Sequence, residues 1–175
     1  MTRTAAVGFA MLAVTAALWP CGARAQTTAD AATTAFRDDV HAAAGLTCAS
    51  CHEAGAAGQP RYDAPPRPSI APMCARCHSD AVYMRKFAPQ VRVDQYSQYL
   101  TSTHGKRMAA GEGRVATCID CHGAHGVFRV RDSRSPVAPA NVATTCGRCH
   151  GDPARMTPFR RMDNPPADWA ASVHA

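Results

Sequence analysis

Large hydrophobic side chains are scarce in this chain. Of 175 residues 46% are apolar, but 36 of these are Ala and nine are Cys, and aromatics make up 6%. Residues 26 to 175 hold only 18 Leu, Ile, Val and Phe, or 12%, below the roughly 20% under which a chain reads as disordered. An ordinary side-chain core is excluded: either the chain does not fold, or another group supplies the apolar mass. No alternating run is long enough to predict a strand, and beyond the N-terminal segment nothing is apolar enough to cross a membrane.

The N-terminal segment sets the compartment. Arg3 opens a short positive region, Ala5 to Leu18 carries no charge, Pro20 breaks the run, and Ala23-Arg24-Ala25 precedes Gln26. Residues 1–25 therefore read as a secretory signal peptide, and a periplasmic, cell-surface or extracellular location follows. An uncleaved anchor is the alternative; Leu18-Trp19-Pro20 lacks the small residues that would make Cys21 a lipidation site.

The other eight cysteines fall in four copies of one pattern: Cys48-Ala-Ser-Cys51-His52, Cys74-Ala-Arg-Cys77-His78, Cys118-Ile-Asp-Cys121-His122 and Cys146-Gly-Arg-Cys149-His150. We number these motifs 1 to 4. C-x-x-C-H is the attachment signature of c-type haem. Two thiols one helical turn apart form thioethers to the haem vinyl groups, and the adjacent His is the proximal iron ligand. Disulfides, zinc and a redox dithiol also use paired cysteines, but none explains a His after every pair. Four covalently attached haems, each a rigid apolar plate, would then be the missing core, and the chain without them is expected to be largely unfolded.

The motifs form an internal duplication, motif 1 matching motif 3 at an offset of 70 residues and motif 2 matching motif 4 at 72. The match runs past the motifs: Ser79-Asp80 parallels Gly151-Asp152, Met84 parallels Met156, and Tyr99-Leu-Thr-Ser-Thr-His104-Gly105 parallels Trp169-Ala-Ala-Ser-Val-His174-Ala175. This predicts dihaem repeats over 26–105 and 106–175. The expected fold is mostly helical and irregular, with short helices and long loops. Helical composition spans Thr28 to Ala44 and Asp94 to Thr103, and Gln59 to Pro72, with five prolines, predicts an extended loop.

Four histidines lie outside the motifs: His41, His104, His125 and His174. They are the candidate distal ligands, and a doubly ligated iron exchanges electrons with little rearrangement and leaves no place for substrate. Met84 and Met156 are weaker distal candidates, since a repeated Met more often packs against a ring edge. Phe36-Arg-Asp-Asp-Val-His41 resembles the His104 segment more loosely, so if His104 serves motif k the duplication sends His41 to k minus 2 and His174 to k plus 2. Four motifs cannot accommodate all three, and His174 is the expected leftover, with ligation in a second molecule as one outcome.

The runs Ser-Thr-His-Gly, Ala-Thr-Cys-Ile-Asp-Cys-His-Gly-Ala-His-Gly and Asn-Val-Ala-Thr-Thr-Cys-Gly-Arg-Cys-His resemble those of bacterial multihaem c-type cytochromes, over about residues 36 to 175. The resemblance implies an electron carrier with haems in close pairs. Its expected partners are redox proteins: a membrane quinol-oxidising cytochrome on one side, and a terminal reductase or extracellular acceptor on the other. Two alternatives stand beside this reading, a reductase of nitrogen or sulfur oxyanions at one five-coordinate haem and a conducting filament built head to tail through His174. No C-x-x-C-K variant marks an unusual haem. The formal charge of +6 falls to +4 without residues 1–25, and four ferric haems at about −1 each offset that, so the basic balance is no nucleic-acid signal. Arg129, Arg131, Arg134, Arg160 and Arg161 are candidates to meet propionates or form a docking face, with a plain solvated surface as the alternative.

Overall fold

The computed structural model describes residues 22–53, 64–159 and 165–173, with the backbone alone described for 22–28 and 165–166. Most of the signal segment, Cys21, Gln59 to Asp63, Arg160, Arg161 and His174 lie outside the described residues. Among those residues the fold is helical, with short helices, long irregular connections and no strand. None of its helices is long and apolar enough to cross a membrane.

The single helix expected from Thr28 to Ala44 is two. α1 runs Gly22–Arg37 and α2 Val40–Ala43. Between them Asp39 is extended at φ −75° and ψ 144°, and its carboxylate accepts the N–H of His41 at 2.8 Å, starting α2 rather than continuing α1.

The proline-rich loop expected to reach Pro72 turns helical sooner, for α3 spans Arg67–His78. Pro68 falls in the first turn, where a missing N–H costs nothing. Pro72 lies inside the helix, at a cost of about 3 kcal/mol. Tertiary contacts offset it. Ile70 and Ala71 are buried, and Arg67 donates from Nε to the Gly113 carbonyl (2.7 Å) and from a terminal nitrogen to the Val115 carbonyl (2.7 Å) and Asp120 Oδ2 (2.7 Å). This clamp, like the packing of α3 on α7 (Cys118–His122), joins residues 26–105 to residues 106–175.

α4 (Ala81–Met84) follows, then the expected Asp94–Thr103 helix, again divided: α5 is Gln95–Thr101 and α6 Thr103–Ala109. Ser102 is extended between them, and its Oγ accepts the Gly105 N–H at 3.1 Å. The rest is α8 (Val142–His150), α9 (Pro153–Met156) and α10 (Pro165–Ala170), which packs on α8. Buried apolar residues among those described are Ile70, Ala71, Met108, Val115, Ala138 and Met156. At about 1.5–3 kcal/mol for each large one, six such residues cannot offset the ordering of a chain this long.

Candidate haem sites

The motifs occupy two local settings. Motif 1 lies on a 3-10 turn, Cys48–Ser50, that runs on to His52, and motif 3 is α7 itself. In both a threonine N–H donates to a side chain three residues on: Thr47 to Ser50 Oγ at 3.1 Å, Thr117 to Asp120 Oδ2 at 2.7 Å. Motifs 2 and 4 instead end the longer helices α3 and α8. Beyond them Asp80 accepts from the N–H groups of Val82 (2.8 Å) and Tyr83 (2.9 Å), and Asp152 from that of Ala154 (2.9 Å). Every motif is thus held in a helical turn, which turns its two thiols to one face. All eight thiols are free of disulfides.

Three of the candidate distal histidines stand across from motif histidines. His52 and His125, His41 and His78, and His104 and His150 each have ring centroids 6.0 Å apart. The angle between ring planes varies, at 16°, 89° and 61°, while the separation does not. A metal–imidazole bond is about 2 Å, so two such bonds plus the depth of the rings fill this gap. Burial holds the His78, His104, His122 and His125 imidazoles below their usual pKa, in the neutral form that ligates. His104 faces motif 4 and His41 faces motif 2. Among the described residues no ring stands opposite His122.

Cavities of cofactor size adjoin two of the motif histidines. A cavity of about 750 Å³ is lined by His104, Cys149, His150, Met156 and Phe159, and one of about 650 Å³ by Cys51, His52, Met73 and Arg76, within the usual range for cofactor sites. Residues and space therefore fit covalently held haem. Met156 is buried in the wall of the first cavity, beside a histidine pair that already spans it. Met84 closes α4, half-buried.

Cationic groups at the larger cavity are ones the sequence did not single out. Arg67, Arg107, Arg114 and Arg155 line it, with Arg107 and Arg114 placed 5.2 and 5.5 Å from the Phe159 ring centre. Arg114 also pairs with Glu112 (2.8 Å), holding that carboxyl down to about 2. Such guanidinium groups suit anionic substituents. Of the expected arginines, Arg134 is taken up by Asp132 (2.8 Å) and the Phe128 ring (4.0 Å), and Arg129 and Arg131 line neither cavity.

Neighbouring motifs adjoin in chain order. The Cys51 thiol feels that of Cys77, the Cys74 thiol that of Cys118, and the Cys121 thiol those of Cys146 and Cys149. The interaction of these two thiols drives their pKa values apart, Cys118 down to about 7 and Cys74 upward.

Thioether motifs in helical turns, facing imidazoles and a chain with almost no core of its own define a multihaem c-type cytochrome. More narrowly, the chain belongs to the cytochrome c3 family, whose model matches residues 40–151, from the start of α2 through motif 4. It is an electron-transfer cytochrome with covalently bound c-type haem. No curated protein and no solved structure matches it.

Proposed function

We propose that this chain is a periplasmic or extracellular tetrahaem electron carrier, working between a membrane quinol-oxidising cytochrome and a terminal reductase or extracellular acceptor. Family members are typically periplasmic or extracellular. The observation that carries the reading is the recurrence of one 6.0 Å separation in three imidazole pairs. Haem iron, when bound, supplies a one-electron couple; the chain's work is to hold it. Cys48, Cys51, Cys74, Cys77, Cys118, Cys121, Cys146 and Cys149 anchor the four groups, with His52, His78, His122 and His150 as proximal ligands. His125, His41 and His104 are the distal ligands for motifs 1, 2 and 4. With an imidazole on either side, these sites would leave no place for substrate or water and would keep reorganisation small. Motifs adjoining in the order 1, 2, 3, 4 supply a row along which electrons pass without moving parts.

A second reading attaches to motif 3, because no ring faces His122 among the described residues. There His174 is the remaining candidate ligand, from this chain or from a second copy head to tail; left open, the site would suit reduction of a nitrogen or sulfur oxyanion. An optical spectrum of the haem-loaded protein with and without carbon monoxide separates these readings. Low-spin bands with carbon monoxide binding to at most one haem in four are expected. Binding at two or more would defeat the carrier reading.

A further inference from the structure

Asp39 is the most deeply buried charged side chain among the described residues, at 1% exposure, and the ligand pairing alone leaves it without a role. Its Oδ1 accepts from His41 Nδ1 at 2.7 Å as well as from the His41 backbone N–H at 2.8 Å. Its Oδ2 accepts the Val127 N–H at 2.8 Å, and the Val40 N–H donates to the Val127 carbonyl at 2.9 Å. Val127 is two residues beyond His125. One carboxylate thus grips the ring of one candidate distal ligand and the backbone of the segment bearing another.

Two physical consequences follow. With Nδ1 engaged, His41 can present only Nε2 to a metal, and the ring can no longer turn about its own axis. Its plane stands at 89° to that of His78. A carboxylate on Nδ1–H also makes the imidazole a stronger electron donor, which favours ferric iron.

We infer that Asp39 is a positioning residue that locks the His41 ring perpendicular to His78 and lowers the potential of the motif 2 haem, while tying the His125 segment to the same anchor. This rests on the ligand pairing proposed above. In ferric haem with two imidazoles, perpendicular rings leave two iron orbitals nearly degenerate and give a single strongly anisotropic low-field electron paramagnetic resonance feature. Near-parallel rings, such as the 16° pair of His52 and His125, give a rhombic three-line signal instead.

The test is that spectrum, with a redox titration, on the full haem-loaded chain and on Asp39→Asn and Asp39→Ala. The unmodified protein should show its most anisotropic component from the 89° pair, with the 61° pair of His104 and His150 intermediate. In Asp39→Asn it should move toward the rhombic form, one haem should titrate at higher potential, and the rhombic signal should persist; Asp39→Ala should lose the component outright. Unchanged spectra and potentials in Asp39→Asn would overturn the inference. So would a wild-type spectrum that is wholly low-spin yet lacks the anisotropic component, which needs no variant to fold. High-spin iron at most sites of the wild type would instead defeat the pairing itself, and the inference with it.

Discussion

At the residue scale, what singles out a candidate ligand is what stands opposite it. His104 and Met156 both border the cavity at motif 4, but His104 lies across from His150 while Met156 is packed into the wall. Converting Met156 to Leu should therefore leave the low-spin spectrum intact and lower stability by less than about 1.5 kcal/mol, as volume-conserving swaps do. His104→Ala should convert one haem to high spin and open it to carbon monoxide, which optical titration would count. A methionine–iron charge-transfer band lost in Met156→Leu would reverse these roles. The candidate ligands were legible as residues because histidine is rare outside the motifs. Asp39 and Arg67 were not, since one of 13 acids and one of 19 Lys and Arg carry no mark in the sequence of being buried or bridging.

At the scale of elements, a break in regular structure aims a candidate ligand. The chain bends at Ser102 so that α6 starts with Thr103 and His104, and the turn brings Gly105 against the end of α5. A Cβ on Gly105 would sit 2.1 Å from the Tyr99 carbonyl oxygen, and backbone cannot give way as a side chain does. Gly105→Ala should destabilise the protein by about 1–3 kcal/mol, the usual penalty of overpacking, and should raise the high-spin fraction at motif 4 alone. An unshifted melting curve with an unchanged spectrum would show that the bend is not what aims His104. Composition located helix near 28–44 and 94–103 but missed both breaks. Asp39 and Ser102 are ordinary in a helical window and act as caps only where the chain has already turned. The prolines erred the other way: Pro68 and Pro72 predict loop, and buried neighbours together with the Arg67 clamp hold them in α3.

For the whole molecule the governing quantity is the missing core. Six buried apolar residues among those described, two of them alanine, leave stability to rest on haem contacts and on cross-links such as Arg67 with Asp120. Protein made without haem attachment should accordingly lose most of its helical circular dichroism, and the holoprotein should melt far above it. An apo form with native helical signal would show that the side chains suffice. Haem loading measured by mass should come to four groups per chain, bound through the eight motif cysteines.

What the sequence by itself determined is the covalent chemistry. Two thiols and a proximal imidazole must be contiguous to reach one haem, so the whole requirement is written in five consecutive residues, four times over. The poverty in large hydrophobics, also a property of composition alone, pointed to where the core must come from. The tertiary structure decided which distant imidazole stands across three of the four motif histidines, and that a carboxylate, Asp39, grips one of them. Those pairings join residues far apart in the chain, and nothing in local propensity or spacing selects among four spare histidines until the helices pack.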